Sequence, residues 1–168
     1  MIEVSMLTYA PDPSQIIGNL PALRTARVGF PNGKIFVTDY VSCPDARDIF
    51  KTFCREHDYI YQELPDKLWH AGHLYSFAQN KYDNYDLNNP LVISDPDVIF
   101  YKSCEHFFDD CNPDELVIKG MLWPGGNFNP ELYQMSRLHT SLLFINKPDI
   151  FQERINQIQD MYQSPKAY

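Results

Sequence analysis

The order of apolar and amphipathic stretches predicts a single α/β domain over residues 1–168: a mostly parallel central sheet flanked by helices. Three observations carry this expectation. Short apolar runs alternate with amphipathic stretches along the whole chain, as they do when helices pack on a sheet. One run, Leu91-Val92-Ile93, is apolar on both parities and suits a strand buried on both faces. The length of 168 residues and a hydrophobic content of 44% also suffice for a core. A chain of this size buries about two-thirds of its unfolded surface.

The elements follow in order. Residues 3–9 read as a first strand, closed by Ala10-Pro11-Asp12-Pro13. Asn19 is expected to cap a short helix with Pro21 in its first turn, where a missing N–H is harmless. Pro31-Asn32-Gly33 is a turn, and residues 34–39 form a β-branched and aromatic strand. Pro44 then opens a helix whose Asp45 and Asp48 complement the positive end of its dipole. Ile49, Phe50, Phe53 and Cys54 are expected on its apolar face. Residues 59–64 form a third strand, 65–82 a helix, and 83–90 a polar loop. After the apolar strand at 91–93 come strands at 115–119 and 140–145, with a loop at 120–130 between them. A final helix carries Phe151, Ile155, Ile158 and Tyr162 at helical spacing. Ligands of such sheets sit at the carboxyl ends of strands, so chemistry is expected at Tyr9, Asp39, Asp95 and Asn146.

Composition removes several classes of function. The net charge is −8 and the basic residues form no stripe, which argues against nucleic acid as a partner, because its binding rests on neutralising phosphates. No apolar run approaches the ~20 residues of a membrane span. The start Met1-Ile2-Glu3-Val4 has neither a basic nor an apolar leader region, which points to the cytoplasm. Cys43, Cys54, Cys104 and Cys111 include no closely spaced pair, so reduced thiols are expected rather than structural zinc.

Asp95 and Asp97 follow the most apolar strand with only Pro96 between them. Two carboxylates this close repel one another unless a cation lies between or beside them. Their oxygens match hard divalent ions such as Mg²⁺ or Mn²⁺.

The run from Pro90 to Phe100, with its Asp95-Pro96-Asp97, resembles the DxD strand of GT-A fold glycosyltransferases, which are Rossmann-like and use nucleotide-diphosphate sugars. The first strand ending Leu7-Thr8-Tyr9, the strand from Lys34 to Asp39 and the later stretch from Leu138 to Lys147 are similar to that family as well. The resemblance implies a metal-dependent transferase acting on a UDP- or GDP-sugar, with a glycan or protein as acceptor. It implies that Asp97 ligates Mn²⁺ or Mg²⁺ and that Asp95 reaches the metal or the ribose. Thr8 and Tyr9 would cradle the base, with Tyr9 stacking on it, and Asp39 would meet base or ribose. His70, His73 and Asn80 fall where the family contacts the donor, and His139 is a candidate further metal ligand. The family's usual late metal histidine and its acceptor-binding elements have no counterpart here, so the expectation is either a lacking C-terminal acceptor-binding portion or a minimal or impaired enzyme. Two other readings stay open: a non-catalytic GT-A-like binding domain, and a haloacid-dehalogenase-like phosphatase, whose DxD normally lies near the N-terminus.

Overall fold

A computed structural model describes residues 1–40, 42–64, 84–122 and 138–162 of the chain. Among them, six strands form one sheet: β1 (Glu3–Thr8), β2 (Lys34–Asp39), β3 (Ile60–Glu63), β4 (Leu91–Ser94), β5 (Ile118–Leu122) and β6 (Leu138–Ile145). They lie in the order β3-β2-β1-β4-β6-β5. β3, β2, β1 and β4 are mutually parallel, and β6 runs against both β4 and β5. The mostly parallel sheet expected from the alternating pattern is therefore present.

Alternation along the strands sends neighbouring side chains to opposite faces. Val4, Met6, Ile35, Val37 and Val92 pack with Leu23 and Ala26 of α1 (Ile16–Gly29) and with Phe50 and Phe53 of α2 (Pro44–His57). Leu91, Ile93, Leu143 and Ile145 form a second cluster with Phe151 of α3 (Pro148–Tyr162). Leu91, Val92 and Ile93 are thus buried on both faces, as their double parity requires. Each such side chain contributes about 1.5–3 kcal/mol on burial. All four cysteines are free, and burial pushes the Cys54 thiol up to about 12, which keeps it protonated. Among the described residues no helix is long and apolar enough to cross a membrane.

Four local expectations are corrected. Asn19 does not cap α1, which starts three residues earlier, after a 3-10 turn at Pro13–Gln15. That turn is capped by Asp12, whose carboxylate accepts from Ser14 N–H at 2.9 Å while Gln15 accepts from Asp12 N–H at 3.2 Å. Ile49 is 43% exposed; Ala46 takes its place on the buried face of α2. The strand expected at 115–119 lies at Ile118–Leu122, because Asn146 ties down the preceding residues. Its amide accepts from Val117 N–H at 2.7 Å and donates to Glu115 C=O at 2.8 Å. Finally, β6 is reversed, so Ile145 pairs with Leu91 at the start of β4. Asn146 therefore belongs to the sheet edge opposite Asp95. The helix expected at 65–82 lies outside the described residues.

Candidate functional site

The strand order fixes where a cleft can form. From β1 the sheet grows through β2 to β3 on one side, and the next strand, β4, lies on the other side of β1. The region beyond the carboxyl ends of the strands at such a reversal is the usual ligand site of α/β sheets. Thr8 ends β1 with Tyr9 next in the chain, Asp39 ends β2 with Tyr40 next, and Asp95 and Asp97 follow β4. Thr8, Tyr9, Asp39, Asp95 and Asp97 were all singled out from the sequence, and the fold gathers them at one edge.

Thr8 and Asp39 are partners in the β1–β2 register, so the residues after them, Tyr9 and Tyr40, leave the sheet side by side. Their rings stack with centroids 5.0 Å apart and planes inclined by 23°. Tyr9 remains 38% exposed. The Tyr40 phenol is held above its ordinary value, first by burial, then by the charge of Asp95 and by Tyr9. The aromatic pair thus joins the ends of β1 and β2, with Tyr40 within reach of the Asp95 charge. Tyr40 escaped the sequence reading. The signal that could have found it is the parallel register itself, which puts the residue after Asp39 beside the residue after Thr8.

Asp39 is almost fully buried, and its carboxylate is surrounded by donors of its own chain. Oδ1 accepts from Thr8 Oγ1 at 3.1 Å and from Ser42 Oγ in a short hydrogen bond. Oδ2 accepts from the Tyr61 hydroxyl at 3.0 Å and lies 3.7 Å from Arg47 Nε. The carboxylate thus binds together β1, β3, α2 and the turn after β2. Its pKa is nevertheless raised: desolvation outweighs the lowering by Ser42, Tyr61, Thr8 and Arg47.

Asp95 is buried and Asp97 exposed, with the turn between them closed by Val98 N–H donating to Asp95 C=O at 3.4 Å. Among the described residues no three His, Cys, Asp or Glu side chains converge as a metal cage. That donor set suits Mg²⁺ or Mn²⁺ held partly by a ligand. Mg²⁺ is commonly bound by one or two carboxylates, with phosphate oxygens and water completing its shell. An oxygen-only pair with one exposed carboxylate, Asp97, fits this pattern.

His139 lies in β6 opposite Met121, beyond the Ser94–Leu142 pair and hence at the same sheet edge as Asp95; its side chain is outside the described part. His70, His73 and Asn80 lie outside the described residues.

No family model matches the chain, and no curated protein matches it in sequence. Solved structures do match it in fold. The glycosyltransferase GlyE of Streptococcus pneumoniae TIGR4 superposes with a TM-score of 0.60 at 13% identity, over 99% of this chain and 40% of that one. The galactosyltransferase LgtC, in complex with donor and acceptor sugar analogs, gives 0.58 at 14% identity over 94% and 65% of the two chains. The mannosyltransferase PcManGT of Pyrobaculum calidifontis, in complex with GDP-Man and Mn²⁺, gives 0.57 at 14% over 92% and 46%. The chain therefore has the fold of GT-A glycosyltransferases and spans 40% to 65% of the length of these three.

Proposed function

We propose that the chain binds a nucleotide-diphosphate sugar and transfers the sugar to an acceptor, in a reaction dependent on Mn²⁺ or Mg²⁺. One observation carries this reading above the others: Asp95 and Asp97 close a buried strand at the strand-order reversal of a glycosyltransferase-like sheet. PcManGT, similar in fold, is in complex with GDP-Man and Mn²⁺, which supports the donor class and the ion. The phosphatase reading loses ground here, because the DxD follows the fourth strand among the described residues and not the first.

In this reading Asp97, exposed at the crevice, holds the ion, and Asp95 reaches the ion or the ribose. When bound, the ion neutralises charge on the departing diphosphate. The remaining work belongs to the chain. Thr8 and Tyr9 receive the base, and the Tyr9 ring offers a face for stacking. Asp39 meets base or ribose at the end of β2, beside the hydroxyls of Thr8, Ser42 and Tyr61 that it already accepts from. His70, His73 and Asn80 supply further donor contacts, and His139 a further ligand. The acceptor is a glycan or a protein.

Calorimetric titration of UDP and GDP, each with and without Mn²⁺, tests this. Metal-dependent binding of one of them is expected. Asp97→Asn keeps the shape and removes the charge, so affinity should fall at least about tenfold, or 1.4 kcal/mol. Metal-free stability should hold or rise, since repulsion from Asp95 is relieved. Metal-independent affinity, or none, overturns the reading. Nucleotide binding with no transfer from any sugar donor would favour a binding domain in its place.

A further inference from the structure

Just past β1, four consecutive main-chain polar groups are held without any strand partner. Tyr9 N–H donates to Asn19 Oδ1 at 3.0 Å, and Tyr9 C=O accepts from Asn19 Nδ2 at 3.2 Å. Ala10 N–H donates to Ser42 Oγ at 2.9 Å, and Ala10 C=O accepts from Cys43 N–H at 2.9 Å. The buried Asn19 amide thus pairs with Tyr9 as a neighbouring strand would. Its second donation, to Gln15 C=O at 2.8 Å, anchors it to the start of α1.

Ser42 is aimed in turn. A hydroxyl has one proton to give. Ser42 gives its proton to Asp39 Oδ1, which leaves its lone pairs for Ala10 N–H. Asp39 also takes the Thr8 hydroxyl, so one carboxylate fixes the end of β1 and the turn that braces the residues after it. Tyr40 N–H donates to Thr8 C=O at 3.1 Å and completes the link between the two strand ends. Both tyrosines of the ring pair are thereby set by their backbones before any ligand arrives. Order settled on folding is not charged against binding.

We propose that Asn19 and Ser42, the latter aimed by Asp39, are positioning residues that hold the Tyr9–Tyr40 ring pair in place for the donor nucleotide. This rests on reading the crevice between β1 and β4 as the donor site.

A double-mutant cycle tests it. In folded protein with Mn²⁺, Asn19→Ala and Ser42→Ala should each weaken the nucleoside diphosphate that the wild type binds by about five- to tenfold. Added to Tyr9→Leu, Asn19→Ala should weaken it by less than about twofold further, because the ring it positions is already gone. Wild-type affinity in both single variants, or full additivity with Tyr9→Leu, overturns the proposal. Near-UV circular dichroism separates this from the donor reading. If the wild type binds neither UDP nor GDP, the donor reading fails on its own. The positioning role then stands if Asn19→Ala, with its far-UV signal intact, reproduces the Tyr9→Leu difference spectrum. It falls if the spectrum of Asn19→Ala stays that of the wild type.

Discussion

Three hydroxyl donors and a nearby guanidinium would ordinarily hold a carboxyl pKa down, yet that of Asp39 is raised above the free value. Burial removes more solvation than Thr8, Ser42, Tyr61 and Arg47 return. The sign of its effect on stability follows. The folded protein holds this proton more tightly than the unfolded chain, so stability from this group is full below 3.8 and is lost as pH rises through the folded-state value. The facing charges are Arg47 from α2 and the nearby Glu63 from β3, which Arg47 also meets at 3.4 Å. Urea denaturation of wild type and Asp39→Asn between pH 3.5 and pH 7 checks this, by the difference in slope. The wild type should gain stability relative to the variant as pH falls toward 4, and parallel curves would contradict the sign. That Asp39 ends a strand was legible in the pattern of residues 34–39. That it faces inward was not, because its enclosure is assembled from Ser42, Arg47 and Tyr61 on three other segments.

At the scale of elements, α1 and the segment after β4 lock together through a missing side chain. A Cβ on Gly29, the last residue of α1, would lie 2.7 Å from two ring carbons of Phe100. Phe100 is buried, and its N–H donates to Thr25 Oγ1 at 3.1 Å, so the ring is fixed to the same helix from its backbone. Gly29→Ala forces the ring to shift, and overpacking of this kind costs about 1–3 kcal/mol. The midpoint of thermal unfolding should fall by several degrees, roughly 2–12 °C for a loss of that size in a domain this long. An unchanged midpoint would show that the contact yields freely. The 3-10 turn leading into α1 carries a readable signal of its own, Asp12 with Gln15 three residues on, which makes a capping box. Asn19 looked like the cap because asparagine favours that position. Its real partner, Tyr9, is ten residues away and meets it only once β1 and α1 have packed.

For the whole molecule, β4 is the strand on which both halves of the core depend. Val92 faces the α1–α2 cluster, while Leu91 and Ile93 face β6 and α3. Ile93→Asp would bury a carboxylate among Leu143, Ile145 and Phe151, at a cost of several kcal/mol. Domains of this kind are stable by only about 5–15 kcal/mol. The variant should lose its cooperative unfolding transition by far-UV circular dichroism, whereas Ile93→Val should lose about 1 kcal/mol and keep it. Wild-type stability in Ile93→Asp would remove β4 from the centre of the sheet.

The sequence by itself determined most of the strands, the layer architecture and the place of Asp95 and Asp97 after the most apolar strand. Periodicity, apolar runs and turn residues are local properties, and a linear pattern records them directly. Only the tertiary structure decided that β6 is reversed, which moves Asn146 to the far edge and brings the start of β6 to the aspartates. It alone decided that Tyr40 stacks on Tyr9 and that Asn19 and Ser42 brace the residues between them. These depend on strand order, direction and register, which are set by how whole faces pack. A pattern read along one chain carries no record of which distant groups will meet.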